Sequence, residues 1–377
     1  MKKIFWLGCL GLFLFEIANV YFIMPLPGSQ RMNSIDAAYF LHKWRWVFRA
    51  FFGATILVGL VKSTWKRKWV PAIPLGLLAV IVYMVNFKMA ADAMFKQPKG
   101  LLTVASDKNK VDSNRLVIGV SINGKAKAYP IQFLGYHHHV QDEVGGKSVL
   151  VTYCTVCRTG RVFEPIVNGK KETFRLVGMD HFNAMFEDAG TKSWWQQATG
   201  KAITGKLKGQ QLPEVFSTQT TLAKWLTLHP ASEIMQADST FTKSYSKTTK
   251  YEDGTSLDKL TGTDTLSWKD KSWIIGVRVN GITKAYDWNR LKKERLIQDK
   301  LGNTSLLLLL AGDNKSFFAF ESSDQKATLQ NDTLTIGNKY FAINGIGIDT
   351  AFNLKPIVAY QEFWHSWKTF NPRTMKY

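Results

Sequence analysis

Cysteine and acid are scarce in this chain, and a long basic run is missing. Three cysteines in 377 residues are too few to staple a small secreted scaffold, so the fold must hold by its own core. Acidic residues number 29 against 49 Lys+Arg, for a net charge of +20. Such a surplus suggests nucleic acid or anionic lipid, but it mixes unlike regions. Residues 1–100 carry 13 basic and 3 acidic residues, and the remaining +10 is spread over 277 residues without a cluster. Nucleic acid is therefore not the expected partner. The chain also lacks a phosphate-cradling glycine loop, a Gly-x-Ser-x-Gly elbow and a His-Glu-x-x-His pair. Their absence removes three common catalytic patterns. With 45% hydrophobic and 21% charged residues, a disordered chain is excluded, and the length favours two domains over one.

The first quarter is apolar. Ile4–Met24 holds one charge, Glu16, and meets the about 20 residues that cross a bilayer core. A signal peptide would have a shorter apolar region ending in small residues, whereas this run continues through Tyr21-Phe22-Ile23-Met24. Cys9 follows Gly8 as in a lipoprotein signal, but Trp6 stands where an aliphatic residue is wanted. Cys9 therefore reads as a buried small hydrophobe rather than a lipidation site. Two further runs, Trp46–Val61 with Arg49 near its start and Val70–Phe87 with Pro71 and Pro74 near one end, complete three expected spans, about 4–24, 46–61 and 70–87, within a membrane region 1–98. Lys2-Lys3 and the loop Lys62, Lys66, Arg67, Lys68 belong in the cytoplasm by the positive-inside rule. The chain beyond residue 90 then faces the periplasm or the cell exterior. The expectation is a multi-pass protein of the inner (cytoplasmic) membrane, with the lipid bilayer as partner; no pattern names a protein partner. Glu16 and Arg49 are too few polar groups to trace a transport path.

The rest reads as a duplication. Ile118–Tyr129 (IGVSINGKAKAY) returns as Ile275–Tyr286 (IGVRVNGITKAY), and the offset of 157 holds without a gap from Leu116–Glu164 to Trp273–Glu321, with 16 of 49 pairs identical. Trp225-x4-Pro230 returns as Trp367-x4-Pro372. Two copies, 101–240 and 265–377, joined by a polar linker at 241–264, are the economical reading. Each opens with a hairpin over Asn-Gly, a pair that tolerates positive φ. Each closes with a short helix: Thr220 and Thr221 offer caps before Leu-Ala-Lys-Trp-Leu, and Gln361–Phe370 mirrors it. The expected fold class is a membrane protein, with an α-helical anchor and a β-rich α+β soluble part built from two tandem repeats. Trp194, Trp195, Trp225 and Trp367 read as packing residues.

Chemistry concentrates in the first copy. It holds His137, His138, His139 and Asp142, then Cys154-Thr155-Val156-Cys157; the second copy has Glu294, Arg295 and Leu296 for the histidines and Ala311 and Asn314 for the cysteines. The scaffold is kept while the soft-ligand set occurs once, which points to a site. A Cys-x-x-Cys turn can aim two thiolates at one metal ion. Histidines must complete such a site. If 136–140 is extended, His137 and His139 share one face and His138 points the other way. His181 is a further ligand, in the stretch 165–212 that is longer in copy one. The ligand set is thus Cys154, Cys157, His137, His138 and His181, with Asp142, Asp180 and His139 as orienting groups behind it. Zn or Cu suits these donors. Thiol redox chemistry and a plain structural disulfide compete with the metal reading. A thioredoxin-like site is disfavoured because a strand, not a helix, follows the pair.

At Tyr153-Cys154-x-x-Cys157-x-x-Gly160-x-x-Phe163 the chain resembles the bacterial family called domain of unknown function 3179. The likeness runs over Val117–Gly205 and takes in Ile118-Gly-Val-x-Ile-Asn-Gly-x-x-x-Ala-Tyr129-Pro130, His137, Asp142, Gly145-Gly146, and Ser193-x-Trp195-x-Gln197-x-x-Thr199-Gly200-x-Ala202-Ile203-x-Gly205. It implies an exported or membrane-attached protein. Where the family pattern has Trp-His-Glu and Cys-Pro-Leu-Cys-Gly, this chain has Tyr136-His137-His138 and Cys154-Thr155-Val156-Cys157-Arg158, and the added histidine implies a richer ligand set. Two functions are expected side by side. One is an extracytoplasmic metal-binding or thiol-redox protein; the other is a ligand-binding or sensory module with a structural disulfide and no catalysis.

Overall fold

A computed structural model describes residues 1–349 and 351–377. They gather into two compact units. One comprises Met1–Lys96, Phe174–Gln196 and Lys201–Gln211; the other comprises Gln97–Thr173, Gln197–Gly200 and Leu212–Tyr377.

In the first unit, α1 (Lys2–Tyr21) is long and apolar enough to cross a membrane, and it is the one unbroken helix that is, among the described residues. The second and third expected spans come out differently. The second run forms α3 (Arg45–Val61), 17 residues, which meets α2 (Ile35–Lys43) at 61°. The third forms α4 (Ala72–Tyr83), 12 residues, passing into a π-helical turn, Met84–Lys88. At 1.5 Å per residue, 17 helical residues reach about 25 Å, short of the ~30 Å hydrocarbon core. Pro71 and Pro74 limit α4 from its start, because proline lacks the N–H that an extended ladder would need. Gly59 lets α3 approach α1 closely, since a Cβ there would run into the Phe5 backbone. α1, α3 and the π-helical turn after α4 each contribute a polar residue to one cluster. Arg49 donates to Glu16 through Nε (2.6 Å) and Nη2 (3.0 Å) and to Asn86 Oδ1 (2.6 Å), and Asn86 Nδ2 returns to Glu16 Oε2 (3.1 Å). The isolated charges of the sequence are therefore one satisfied group. The unit also contains a four-stranded antiparallel sheet of Phe174–Asp180, Asn183–Asp188, Trp194–Gln196 and Ala202–Thr204. Trp194 and Trp195 are buried in it, their indoles donating to Glu187 (3.0 Å) and Asp188 (2.8 Å).

The second unit runs twice through one order of elements. In the first half β1 (Leu116–Ile122) and β2 (Lys125–Pro130) form a hairpin, α5 (Ile131–His137) follows, and β3 (His139–Val144), β4 (Lys147–Cys154) and β5 (Thr159–Phe163) make a meander. Then β6 (Thr218–Thr221) pairs antiparallel with β1, α6 (Leu222–Leu228) crosses, and β7 (Glu233–Met235) pairs parallel with β2. The second half repeats this with β8 (Trp273–Val279), β9 (Ile282–Asp287), α7 (Trp288–Glu294), β10 (Leu296–Leu301), β11 (Thr304–Leu310), β12 (Phe317–Glu321), β13 (Ala359–Phe363), α8 (Trp364–Phe370) and β14 (Met375–Lys376). Asn123 and Gly124 turn the first hairpin with φ of 49° and 73°, and Asn280 and Gly281 turn its counterpart with 50° and 78°. Gly119 and Gly276 are shared for a packing reason: a Cβ would strike the indole of Trp225 in one half and of Trp367 in the other. Thr221 caps α6 by accepting from Lys224 N (3.1 Å).

The segment 241–264, read as a linker, begins folded. Short helices Thr242–Tyr245 and Thr249–Glu252 bury Tyr245, Tyr251 and Glu252, because Phe241, Tyr245 and Tyr251 give them an apolar face. The soluble part is thus β-rich, made of many small sheets, with an apolar helix at the N-terminus of the chain.

Candidate functional site

The meander β3–β4–β5 decides what the first half can do. Val140, Val151, Val162, Val149 and Tyr153 point into the main core. The opposite face should meet solvent, and in this unit it is buried as well. Across it His139 lies opposite Thr152 and Thr152 opposite Arg161, and in the next row Cys154 lies opposite Thr159. All five are buried. The same rows in the second half hold Leu296, Leu309 and Phe318, then Ala311 and Ser316, and most of these join an apolar cluster with Leu307 and Phe320. One scaffold face is therefore greasy in one copy and polar in the other, although both are excluded from water.

The chain turns from β4 to β5 through Thr155–Arg158, and Arg158 takes φ 56°. Cys154 ends β4 and Cys157 sits in the turn. Both are 0% exposed thiols, unjoined by a disulfide, with their sulfurs hydrogen-bonded to one another. Burial pushes the Cys157 thiol well above its ordinary value; the bond to Cys154 and the charge of Glu362 add to this, and the Ser366 hydroxyl opposes it. The second half grips the turn. Phe363 N donates to Cys157 O (2.8 Å), while Lys271 Nζ (2.9 Å) and His365 Nε2 (3.1 Å) both donate to Val156 O. Burial draws Lys271 below its usual value, and the neighbouring Cys157 and Cys154 pull it back up, so its ammonium stands near both sulfurs.

A polar network fills the space behind the thiols. Arg161 Nη2 pairs with Glu362 Oε2 (2.9 Å), its Nη1 donates to Gly160 O (3.0 Å) and to Thr159 Oγ1, and its Nε donates to Ala198 O (3.3 Å). Ser366 Oγ donates to the second Glu362 oxygen (2.5 Å). Gln197 Nε2 bridges Thr152 Oγ1 (3.1 Å) and Thr159 O (3.0 Å). Arg158 is fully buried over the Trp273 ring and donates to Tyr251 O (2.9 Å), Glu252 O (3.0 Å) and Gln361 Oε1 (3.1 Å). It thereby ties the folded 249–252 helix and β13 to the cysteine turn.

The histidines are not arranged as an extended 136–140 segment would place them. His137 closes α5, and His138 turns left-handed at φ 64°, as Arg295 does at φ 66° in the second half. His137 Nε2 bonds Tyr245 Oη (2.7 Å) amid Tyr136 and Phe241. The Tyr136 carbonyl can only accept, so His138 Nδ1 donates to it (3.2 Å); burial pushes this imidazole down to about 4 and keeps it neutral. His139 Nδ1 meets Gln97 Nε2 (3.2 Å) and accepts, leaving the proton on Nε2. His138 O receives Tyr153 N (2.8 Å), so the backbone brings the histidine segment beside the end of β4. Asp142 is taken up by Lys127 Nζ (3.0 Å) and Tyr129 Oη (2.8 Å), an arrangement repeated by Asp299 with Lys284 (2.6 Å) and Tyr286 (2.8 Å). It serves both halves alike and is no special feature of the first. His181 and Asp180 belong to the other unit. There Asp180 Oδ1 takes His181 Nδ1 (2.8 Å), which raises the histidine pKa, and its Oδ2 takes Gln196 Nε2 (2.7 Å).

Among the described residues no group of three or more His, Cys, Asp or Glu stands where one metal ion could be held. The arrangement offers a dithiol buried among polar side chains, with a lysine ammonium and a hydroxyl near the sulfurs. Lys271, Glu362, His365 and Ser366 from the second half, and Thr159 and Arg161 from the first, are not marked by the sequence, and Gln197 is marked there only as part of the family resemblance. No curated protein and no solved structure matches the chain. A family model described as a protein of unknown function (DUF3179) matches residues 97–374, and the chain belongs to that family.

Proposed function

We propose that this is a membrane-attached protein whose family-matching part carries a sequestered dithiol switch, Cys154 and Cys157, that is read by the second half of the same unit. The observation behind this is the pair of mutually bonded thiols on a buried polar face whose counterpart is apolar. Closing a disulfide takes two electrons and two protons from the thiols; the disulfide of an exchange partner accepts them and leaves as two thiols. Burial and a raised thiol pKa slow such exchange, which suits a sensor better than a turnover oxidoreductase. Drawing the sulfurs to a bond of about 2.05 Å would shift the Val156 and Cys157 carbonyls that Lys271, His365 and Phe363 hold. Oxidation would thus be felt at β13 and α8.

A soft metal ion is the second reading, favoured by the positive φ directly after Cys157. Two thiolates suit copper(I), and zinc would need His137 or His138 brought over as well. Attachment is assigned to α1. The Glu16–Arg49–Asn86 cluster would carry α3 and α4 into the bilayer beside it, making the protein multi-pass in the inner membrane. The soluble part would then lie outside the cytoplasm, where disulfides persist.

The test is a redox titration of the full chain against glutathione and its disulfide, with thiols counted by alkylation after denaturation and metal measured in parallel. Loss of two of the three thiols in one two-electron transition, abolished in Cys154→Ser, supports the switch. Thiols that resist oxidation at every potential, or a disulfide that native-state reductant never opens, would sink it. Stoichiometric metal, lost in Cys154→Ser, would replace the first reading by the second.

A further inference from the structure

The first unit forms an open cavity of ≈ 580 Å³ beside the C-terminal end of α1. Val20, Ile23, Val85, Met89 and Val177 give it an apolar wall. Four fixed cations, Lys43, Arg45, Arg175 and Lys192, line it against two carboxylates, Asp92 and Glu187. Arg175 is committed to both acids, at 2.9 Å to Glu187 and 3.0 Å to Asp92. Among the described residues no salt bridge engages Lys43, Arg45 or Lys192, so the lining carries a surplus of positive charge beside its apolar wall.

Asn19 supplies an independent sign. It sits in the last turn of α1, is 8% exposed, and lines the same cavity. Its Oδ1 is buried without a hydrogen-bond partner. Leaving such an acceptor unmet is costly, and buried polar atoms seldom go unpaired. The cavity therefore presents an unmet acceptor, an unneutralised cationic rim and a hydrocarbon-like wall. All three stand at the end of a helix long enough to cross a membrane, where lipid headgroups lie.

We infer that the cavity binds an anionic phosphoglycerol lipid. Its phosphate would meet Arg45, Lys43 and Lys192, a headgroup hydroxyl would donate to Asn19 Oδ1, and an acyl chain would lie along Val20, Ile23 and Val85. Free glycerol phosphate shares the headgroup chemistry and lacks the chain, so the two sources separate cleanly. A zwitterionic lipid keeps the chain and cancels the charge.

The full chain in neutral detergent is offered dioleoyl phosphatidylglycerol, dioleoyl phosphatidylcholine or glycerol phosphate, and bound ligand is read by native mass spectrometry. The phosphatidylglycerol should be held at least about tenfold more tightly than either competitor. That margin should be lost in Arg45→Gln with Lys43→Gln, about tenfold or more being the expected effect of losing charge-assisted hydrogen bonds to the phosphate, and Asn19→Leu, which removes a bond between neutral groups, should weaken retention about two- to tenfold. Lys43→Gln alone alters an exposed residue, so it keeps the test valid if the others fail to fold; Lys66→Gln, a cation outside the cavity, should change nothing. Equal retention of both lipids, or of the anionic lipid by every variant, overturns the proposal. Glycerol phosphate bound as tightly as the lipid also overturns it, in favour of a soluble phosphate ester.

Discussion

Glu362→Gln keeps the shape of the side chain and removes one charge from a pair whose side chains are 3% and 1% exposed. The Arg161 guanidinium is left with Gly160 O, Ala198 O and Thr159 Oγ1, none of which carries a charge. A buried ion deprived of its counter-charge destabilises by about 3–5 kcal/mol. For a unit of this size each kcal/mol moves the midpoint by about 2–4 °C, so the expected fall is roughly 6–20 °C. The paired variant Arg161→Met with Glu362→Leu removes both charges. Phe318 occupies the position of Arg161 in the second half, so the scaffold accepts an apolar group there, and the double variant should recover most of the loss. Thermal and urea unfolding of the full chain, with the thiols kept reduced, measures both. The Glu362 charge also raises the Cys157 thiol, so Glu362→Gln should speed alkylation of that cysteine. A loss below about 1 kcal/mol in Glu362→Gln, or a double variant no better than the single one, would refute the buried polar face as a coupled unit.

Gly119→Ala and Gly276→Ala should each cost about 1–3 kcal/mol by overpacking against Trp225 and Trp367, and an unchanged urea midpoint in either would contradict the shared packing. Lys271→Met removes a cation that interacts with both sulfurs, so the Cys157 thiol should rise further and disulfide formation slow by on the order of tenfold, read by timed alkylation after an oxidant pulse. His138 is pushed down to about 4 from an ordinary 6.5. The unfolded chain binds its proton first, so stability present above pH 6.5 is lost as pH falls toward 4, by about 3 kcal/mol. His138→Asn, which tolerates the left-handed backbone, should remove that share of the pH dependence across the window and leave the share carried by His365, which burial also pulls down to about 4. Cys157 has the opposite sign: its pKa is raised on folding, so its contribution holds below the unfolded value of about 8.5 and fades at higher pH. Cys157→Ser should remove that alkaline loss.

Comparison of the two copies made much of this site legible, because residue chemistry at aligned positions needs no structure. The contrast between Cys154 and Ala311 was plain, and so was that between the histidines and Glu294-Arg295-Leu296. Carried along whole strands with a period of two, the same comparison would also have marked Thr152 against Leu309 and Arg161 against Phe318. The groups that close the site from outside were not legible. Lys271, Glu362, His365 and Ser366 lie more than 100 residues from the cysteine turn, and no local pattern links them to it. The histidine segment went astray for a nearer reason. A left-handed residue at His138 ends a helix where unbroken extension was expected, and nothing in three identical side chains shows which one turns. In the apolar first quarter, hydropathy located three runs, but the lengths of helix they support depend on Pro71, Pro74 and the bend before Arg45.

The two copies divide the labour unequally. In the second half, the face that in the first half surrounds the thiols is filled with Leu307, Leu309, Phe318 and Phe320, which build a core and leave nothing to titrate. That half supplies instead the elements that clasp its partner: β13 provides Glu362 and Phe363, α8 provides Ser366 and His365, and the approach to β8 provides Lys271. A polar pocket made only from the first copy would leave Arg161 without its counter-charge and the Val156 and Cys157 carbonyls of the turn without donors. Unmet groups at that depth cost more than a domain of marginal stability can bear. The polar face of the first half and the apolar face of the second are therefore two sides of one arrangement. The second half covers the first and supplies its counter-charge, which is why the two thiols can stay buried.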